Sequence, residues 1–162
     1  MNPVILSVLV SNHFGVLTRV TNLFSRRGFN IKALTVGETE NPTLSRITIS
    51  TEGDQLTIDQ IRKQLGKLED VKRSIEIEEK RLVCRELLLL KTRCEDSCYA
   101  GLLEKITPFG ARIIDLAENA AVIEMTGKTE AVNEFIAFMQ PHGIMEMCRT
   151  GGAALELGGQ VL

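Results

Sequence analysis

The sequence predicts an α+β fold of two consecutive domains, each with the element order βαββαβ. Three observations carry that expectation. Between Val4 and Glu78, β-rich runs alternate with two stretches whose apolar residues recur at helical spacing. The same order begins again after the charged segment EIEEKR, at a period of about 80 residues. Each strand–helix–strand step is a crossover, so the halves of a domain interleave into one four-stranded antiparallel sheet with both helices on one face, the ferredoxin-like arrangement.

The first strand is VILSVLV, Val4 to Val10, apolar almost throughout, as suits a central strand covered on at least one face. A helix follows, with Val16, Leu17, Val20, Leu23 and Phe24 on one side and Arg19, Asn22 and Arg26 on the other; Gly28 supplies its stop. Asn30 to Gly37 and Thr43 to Thr51 read as a hairpin whose turn is signalled by Asn41-Pro42. Ile58, Ile61, Leu65 and Leu68 set a second helix. Val71, Arg73, Ile75 and Ile77 then alternate with polar residues, as an exposed edge strand does.

In the second half, LVCRELLLLK reads as a strand, and Tyr99, Leu102, Leu103 and Ile106 mark a helix ended by Pro108 and Gly110. ARIIDLAENAAVIEMTG gives two strands with a turn at Glu118-Asn119. A helix with Val132, Phe135, Ile136 and Met139 inward and a last strand from Ile144 to Cys148 complete the repeat. The expected domains are residues 1–79 and 80–162, and the sequence leaves open whether the Gly-rich tail TGGAALELGGQVL is ordered.

Composition narrows the function classes. The chain has 162 residues, 44% of them hydrophobic, enough for a core in each domain. Nineteen basic and 21 acidic residues leave a net charge of −2, and aromatics are 4%, so nucleic acid is not an expected partner. Apolar runs such as the four leucines of ELLLLK fall far short of the roughly 18 residues that read as a membrane span. The first residues run straight into a strand without a signal peptide, and with four free thiols at Cys84, Cys94, Cys98 and Cys148 the expected compartment is the cytoplasm. Cys94-x-x-x-Cys98 has no second cysteine pair, and His13 and His142 are far off in sequence, so no metal site is expected.

The richest short stretch is Ser11 to Ile31, SNHFGVLTRVTNLFSRRGFNI. A helix starting near Gly15 exposes its first backbone N–H groups, where the helix dipole favours an anion. Gly15 lets a ligand approach the main chain, and Asn12 can cap the helix or turn its amide to a ligand. Phosphate usually recruits a longer Gly-rich loop with lysine, which is missing, so a carboxylate is the better fit. For an amino acid, the side-chain carbonyl of Asn30 could accept from the ammonium, and Ile31 and Leu34 could line an apolar pocket. At about 0.8 kcal/mol per buried methylene, such a pocket favours a branched side chain over alanine and separates valine from leucine poorly. Plain helix capping remains the alternative for Asn12 and Gly15. No GxSxG, HExxH, GxGxxG or CxxC pattern occurs, and Glu78-Glu79 and Glu95-Asp96 read as solvated charge. The pattern is one of binding without catalysis.

NHFGVLTRVTNLFSRRGFNIKALTVGETENPTLSRITIS resembles the ACT domain of the regulatory (small) subunit of acetolactate synthase, also called acetohydroxyacid synthase. The likeness is nearly collinear over Val4 to Ile77 and continues through CRELLLLK, GARIIDLAENAAVIEMTG and PHGIMEMCRTGGAAL. It implies a non-catalytic subunit that activates a catalytic subunit and makes it sensitive to a branched-chain amino acid, usually valine. Thiamine diphosphate, magnesium and FAD are then expected in that catalytic partner, with no cofactor in this chain. It further implies a homodimer in which two ACT domains join side by side with the effector between subunits. Carried over by position, the effector residues are Asn12, His13, Phe14, Gly15 and Val16, with Asn30 and Ile31 reached from the neighbouring chain. Phe14 stands where relatives often have a small residue or proline, and Gly152 and Leu157 where they often have bulky or basic ones. The rival readings are a stand-alone amino-acid sensor or interaction module of ferredoxin-like fold, and a small enzyme of that fold.

Overall fold

The structure, a computed structural model, describes residues 3–94 and 99–162. Its contacts divide the chain into two compact units. One holds the residues up to Val83 together with Gly151–Leu162, and the other holds Cys84–Thr150.

The first unit contains β1 (Val4–Ser11), α1 (Val16–Arg27), β2 (Ile31–Glu38), β3 (Leu44–Thr51), α2 (Gln55–Leu65) and β4 (Val71–Ile77). Its antiparallel sheet has the order β2-β3-β1-β4, so the most apolar strand is interior and β2 and β4 are the edges. Leu6, Val8 and Val10 of β1 and Ile47 and Ile49 of β3 meet Val20 and Phe24 of α1 and Ile58, Ile61 and Leu65 of α2 in one buried cluster. Each such side chain contributes about 1.5–3 kcal/mol of burial, which is why the alternation on these strands fixes their register. Gly28 ends α1 in the left-handed region at φ 67°. Asp54 caps α2 by accepting from the Thr57 amide at 2.8 Å, a cap that the Asp54 side chain supplies three residues ahead. The hairpin turn is closed by Asn41, whose Oδ1 accepts from the Thr43 amide at 3.0 Å.

The second unit repeats the plan with β5 (Leu82–Arg93), α3 (Tyr99–Ile106), β6 (Arg112–Ala117), β7 (Ala120–Gly127), α4 (Thr129–Met139) and β8 (Ile144–Arg149). Its order β6-β7-β5-β8 is that of the first sheet, with β5 in the place of β1. Leu88, Leu90, Ile123 and Met125 pack on Leu102, Ile106, Phe135 and Met139. The periodicity of α3 overstates one position: Leu103 is half-exposed, because an eight-residue helix turns too few times to bury so wide a stripe. Glu86, buried, accepts from Arg149 Nε and Thr129 Oγ1, and Arg149 Nη1 also donates to Asn133.

The Gly-rich tail, whose order the sequence leaves open, has fixed partners. Ala153–Glu156 forms β9, which pairs with β5 outside the main strand order. Arg81 fixes this segment: its carbonyl accepts from the Leu157 amide at 2.7 Å, and its guanidinium reaches Glu156 at 3.3 Å and the Leu157 carbonyl at 3.2 Å. Arg73 holds the Val161 carbonyl at 2.9 Å. Gly151 lies so close to β2 that a Cβ there would stand 2.6 Å from Thr35 Oγ1 and 3.2 Å from Leu34 O. Glycine content alone does not reveal such partners, since they come from residues far back in the chain.

Two outcomes follow from this packing. Ile49→Ala should destabilise the first unit by about 2–5 kcal/mol in urea unfolding, since a fully buried site cannot collapse around the lost atoms. Gly151→Val should cost about 1–3 kcal/mol through overpacking and should speed protease cleavage within residues 152–162; unchanged cleavage would contradict the tail's docking on β2.

Candidate functional site

The turn from β1 into α1 places Gly15 at the N-cap with φ 85°, a conformation that costs an L-residue with a side chain about 1–2 kcal/mol. No side chain caps the helix. The Val16 amide makes a long bond of 3.5 Å to the His13 carbonyl, and Arg19 N closes the first helical bond to Gly15 O at 3.0 Å. The amides of Leu17 and Thr18 therefore lead out of the helix start without intrahelical acceptors. The backbone requirement for glycine and the open amides are thus a single feature.

Asn12 does not cap α1. Its Nδ2 donates to Glu38 Oε1 at 3.1 Å and to the Pro42 carbonyl at 2.9 Å, and its amide donates to Thr43 O at 2.7 Å. Asn12 thereby ties the loop to the far end of the β2–β3 hairpin. His13 sets Nε2 2.9 Å from Asp70 Oδ1 and Nδ1 3.2 Å from the Phe14 carbonyl. Phe14 is 100% exposed, while Val16 is buried in the core. Asp70, in the turn before β4, also accepts from Arg19 Nε at 2.6 Å, and its carbonyl accepts from the Ser11 amide at 2.9 Å. The Arg19 hydrogen bond holds the Asp70 carboxyl below the usual carboxylate range, with His13 adding to it and burial opposing. Arg19 and Asp70 were not among the residues expected from the sequence; the signal for Arg19 is its i+4 spacing from Gly15.

Asn30 and Ile31 are not brought to this loop. They stand at the opposite end of β2, where Ile31 is opposite Thr51 and the Asn30 carbonyl accepts from Thr51 Oγ1 at 2.6 Å. Seven strand steps separate Ile31 from Glu38, roughly 23 Å. Ile31 and Leu34 pack against the helix-side core. On that helical face a cleft of about 380 Å³ opens between α1 and α2, lined by Arg19, Arg26, Arg27, Leu23 and Leu68 among others.

Among the described residues, no cluster of three or more His, Cys, Asp and Glu side chains could hold a metal ion, and no helix is long and apolar enough to cross a membrane. Cys98 and the pair Glu95-Asp96 lie outside the described residues. Cys84 and Cys148 are free thiols; burial, with Glu86 nearby, pushes the Cys84 thiol up, so it stays protonated near neutral pH. The start of α1 offers backbone N–H donors, which suit an anion.

Comparison with known proteins covers both halves of the chain. Residues 6–73 match the family described as AHAS small subunit-like ACT domain, and residues 85–158 match the family described as small subunit of acetolactate synthase. A probable acetolactate synthase small subunit of Archaeoglobus fulgidus is 44% identical over 153 residues, covering 94% of this chain and 96% of that protein. The acetolactate synthase isozyme 3 small subunit of Salmonella typhimurium is 38% identical over 159 residues, covering 98% of each. The crystal structure of the acetolactate synthase small subunit from Thermotoga maritima superposes with a TM-score of 0.91 at 38% identity, covering 99% of this chain and 100% of that one. With both of its domains matched and relatives aligned over nearly their full length, the chain belongs to the family of acetolactate synthase small subunits, regulatory subunits of an enzyme complex.

Proposed function

We propose that this subunit activates a thiamine-diphosphate-dependent catalytic subunit of acetolactate synthase in the cytoplasm and makes it subject to feedback by a branched-chain amino acid, valine first. The thiamine diphosphate, magnesium and FAD belong to the catalytic partner. The effector's carboxylate sits at the open amides after Gly15, and its ammonium is met by Asn30 of a second copy of the chain.

One observation carries this reading: the two halves of the expected site lie at opposite ends of the edge strand β2. Within one chain they cannot share a small ligand. If β2 pairs antiparallel with β2 of a second copy across a two-fold axis, the Asn30 end of one strand comes beside the Glu38 end of the other, where Asn12 is anchored. Pairing through β4, the other edge, brings no such meeting. The joined sheet also satisfies the outward backbone groups of β2, which an isolated edge leaves exposed. Effector binding then biases the assembly only as far as its affinity differs between two arrangements, typically a coupling of roughly 1–3 kcal/mol.

Two experiments test this. Gly15→Asp adds a side chain where φ is 85° and a negative charge where the carboxylate binds, so valine affinity should fall by at least about tenfold in calorimetry; undiminished valine inhibition of a complex carrying the change overturns the assignment. Mixed dimers of Asn12→Ala and Asn30→Ala chains should regain one intact site per hybrid although each parent binds poorly. A site built within a single chain gives no such recovery.

A further inference from the structure

Arg19 stands one helical turn after Gly15, and long side chains on a helix lean back toward its start. Its guanidinium accordingly lies over the mouth of α1. Nη1 is 3.2 Å from the point that a Cβ on Gly15 would occupy, while Nε is committed to Asp70 at 2.6 Å. Among the described residues, neither Nη group has a hydrogen-bond acceptor. One side of the guanidinium fork is therefore held by a carboxylate of the protein, and the other faces the Gly15 seat with its donors open. A planar fork of this kind takes a carboxylate through two parallel N–H bonds.

Resting on the effector reading above, we propose that Arg19 is the side-chain partner of the effector's carboxylate, and that Asp70 competes for the same guanidinium when the seat is empty. The competition is an exchange of one partly exposed ion pair for another, the Arg19 side chain being 48% and that of Asp70 15% exposed, and a pair open to water on one side is exchanged more readily than a buried one. Asp70 is also the acceptor for His13 and, through its backbone, for Ser11 at the end of β1. Filling the seat thus draws Arg19 off the one residue that links α1, the effector loop and the turn before β4. The site consequently reads a free carboxylate, and a neutral amide of the same amino acid leaves Asp70 in possession of Arg19.

The test is calorimetry of the full chain with valine, valinamide and inorganic phosphate. Wild type should prefer valine to valinamide by at least about tenfold, as expected for a charge-assisted bond. Arg19→Gln should cut the valine-to-valinamide ratio several-fold, leaving only the preference that the backbone amides supply, and leave valinamide unchanged. Asp70→Asn, which keeps the shape of the side chain and removes its charge, should tighten valine by roughly two- to fivefold; a merely structural role for Asp70 predicts the opposite sign. A valine-to-valinamide ratio retained in Arg19→Gln, or looser valine binding in Asp70→Asn, overturns the proposal, and the second variant decides alone if the first does not fold. Phosphate displacing valine from wild type but not from Arg19→Gln supports it as an anion locus. A wild type silent to valine, leucine and isoleucine overturns the effector reading itself, a result distinct from a retained ratio.

Discussion

At φ 85° the backbone of Gly15 swings the chain from the end of β1 into α1 within residues 12–15, and the front of the first domain is arranged around that swing. A side chain at this position meets two obstacles at once, the left-handed backbone and the Arg19 guanidinium. Because the turn is so short, nothing from the loop folds back to cap the helix, and the polar groups of Asn12 and His13 point away to the hairpin and to Asp70. The helix start is left uncapped by construction. The same residues that deny it a cap hold the loop rigid, which lowers the entropic cost of ordering it around a ligand.

The sheet supplies the second constraint. With Leu6, Val8 and Val10 committed to the core, β1 has to lie between two partners, and the remaining strand of the hairpin is pushed to the edge. That edge, β2, carries at its two ends the two halves of the proposed effector site. Under the proposed function, regulation by a shared ligand and assembly through an open strand edge would be the same property of the topology, and an effector between copies would stabilise the pairing as the pairing completes the seat.

The fold was legible wherever the signal is local and periodic. The apolar run of β1, the stripe from Val16 to Phe24, the Gly28 stop and the Asn41-Pro42 turn each depend on neighbours within a few residues, and these elements fall within a residue or two of the expected ones, whereas α2 ends at Leu65 and leaves Leu68 in the turn beyond it. Gly15 and its loop were legible for the same reason. What escaped depends on distant partners: Asp70 reaching Arg19 and His13 across 51 and 57 positions of sequence, Asn12 engaged by Glu38 and Pro42, and the tail held by Arg81 and Arg73. A carboxylate in a turn carries no mark of the guanidinium it meets. Leu103 shows the converse, a residue with the right spacing on a helix too short to bury it.

The RTG triplet sits where the chain leaves one unit for the other: Arg149 pairs with Glu86 and Thr150 bonds to Leu87 in the second unit, and Gly151 closes onto Leu34 and Thr35 in the first. On the ribosome, the opening βαββαβ module therefore emerges early yet lacks a piece of itself until residues 151–162 have been made. That closing piece is made only after the second module, so a nascent chain stalled between the two would present a complete four-stranded sheet without the segment that Arg81 and Arg73 hold. Translation order and spatial order disagree here, and that mismatch ties the amino-terminal unit to residues 151–162, which are made only after the other unit.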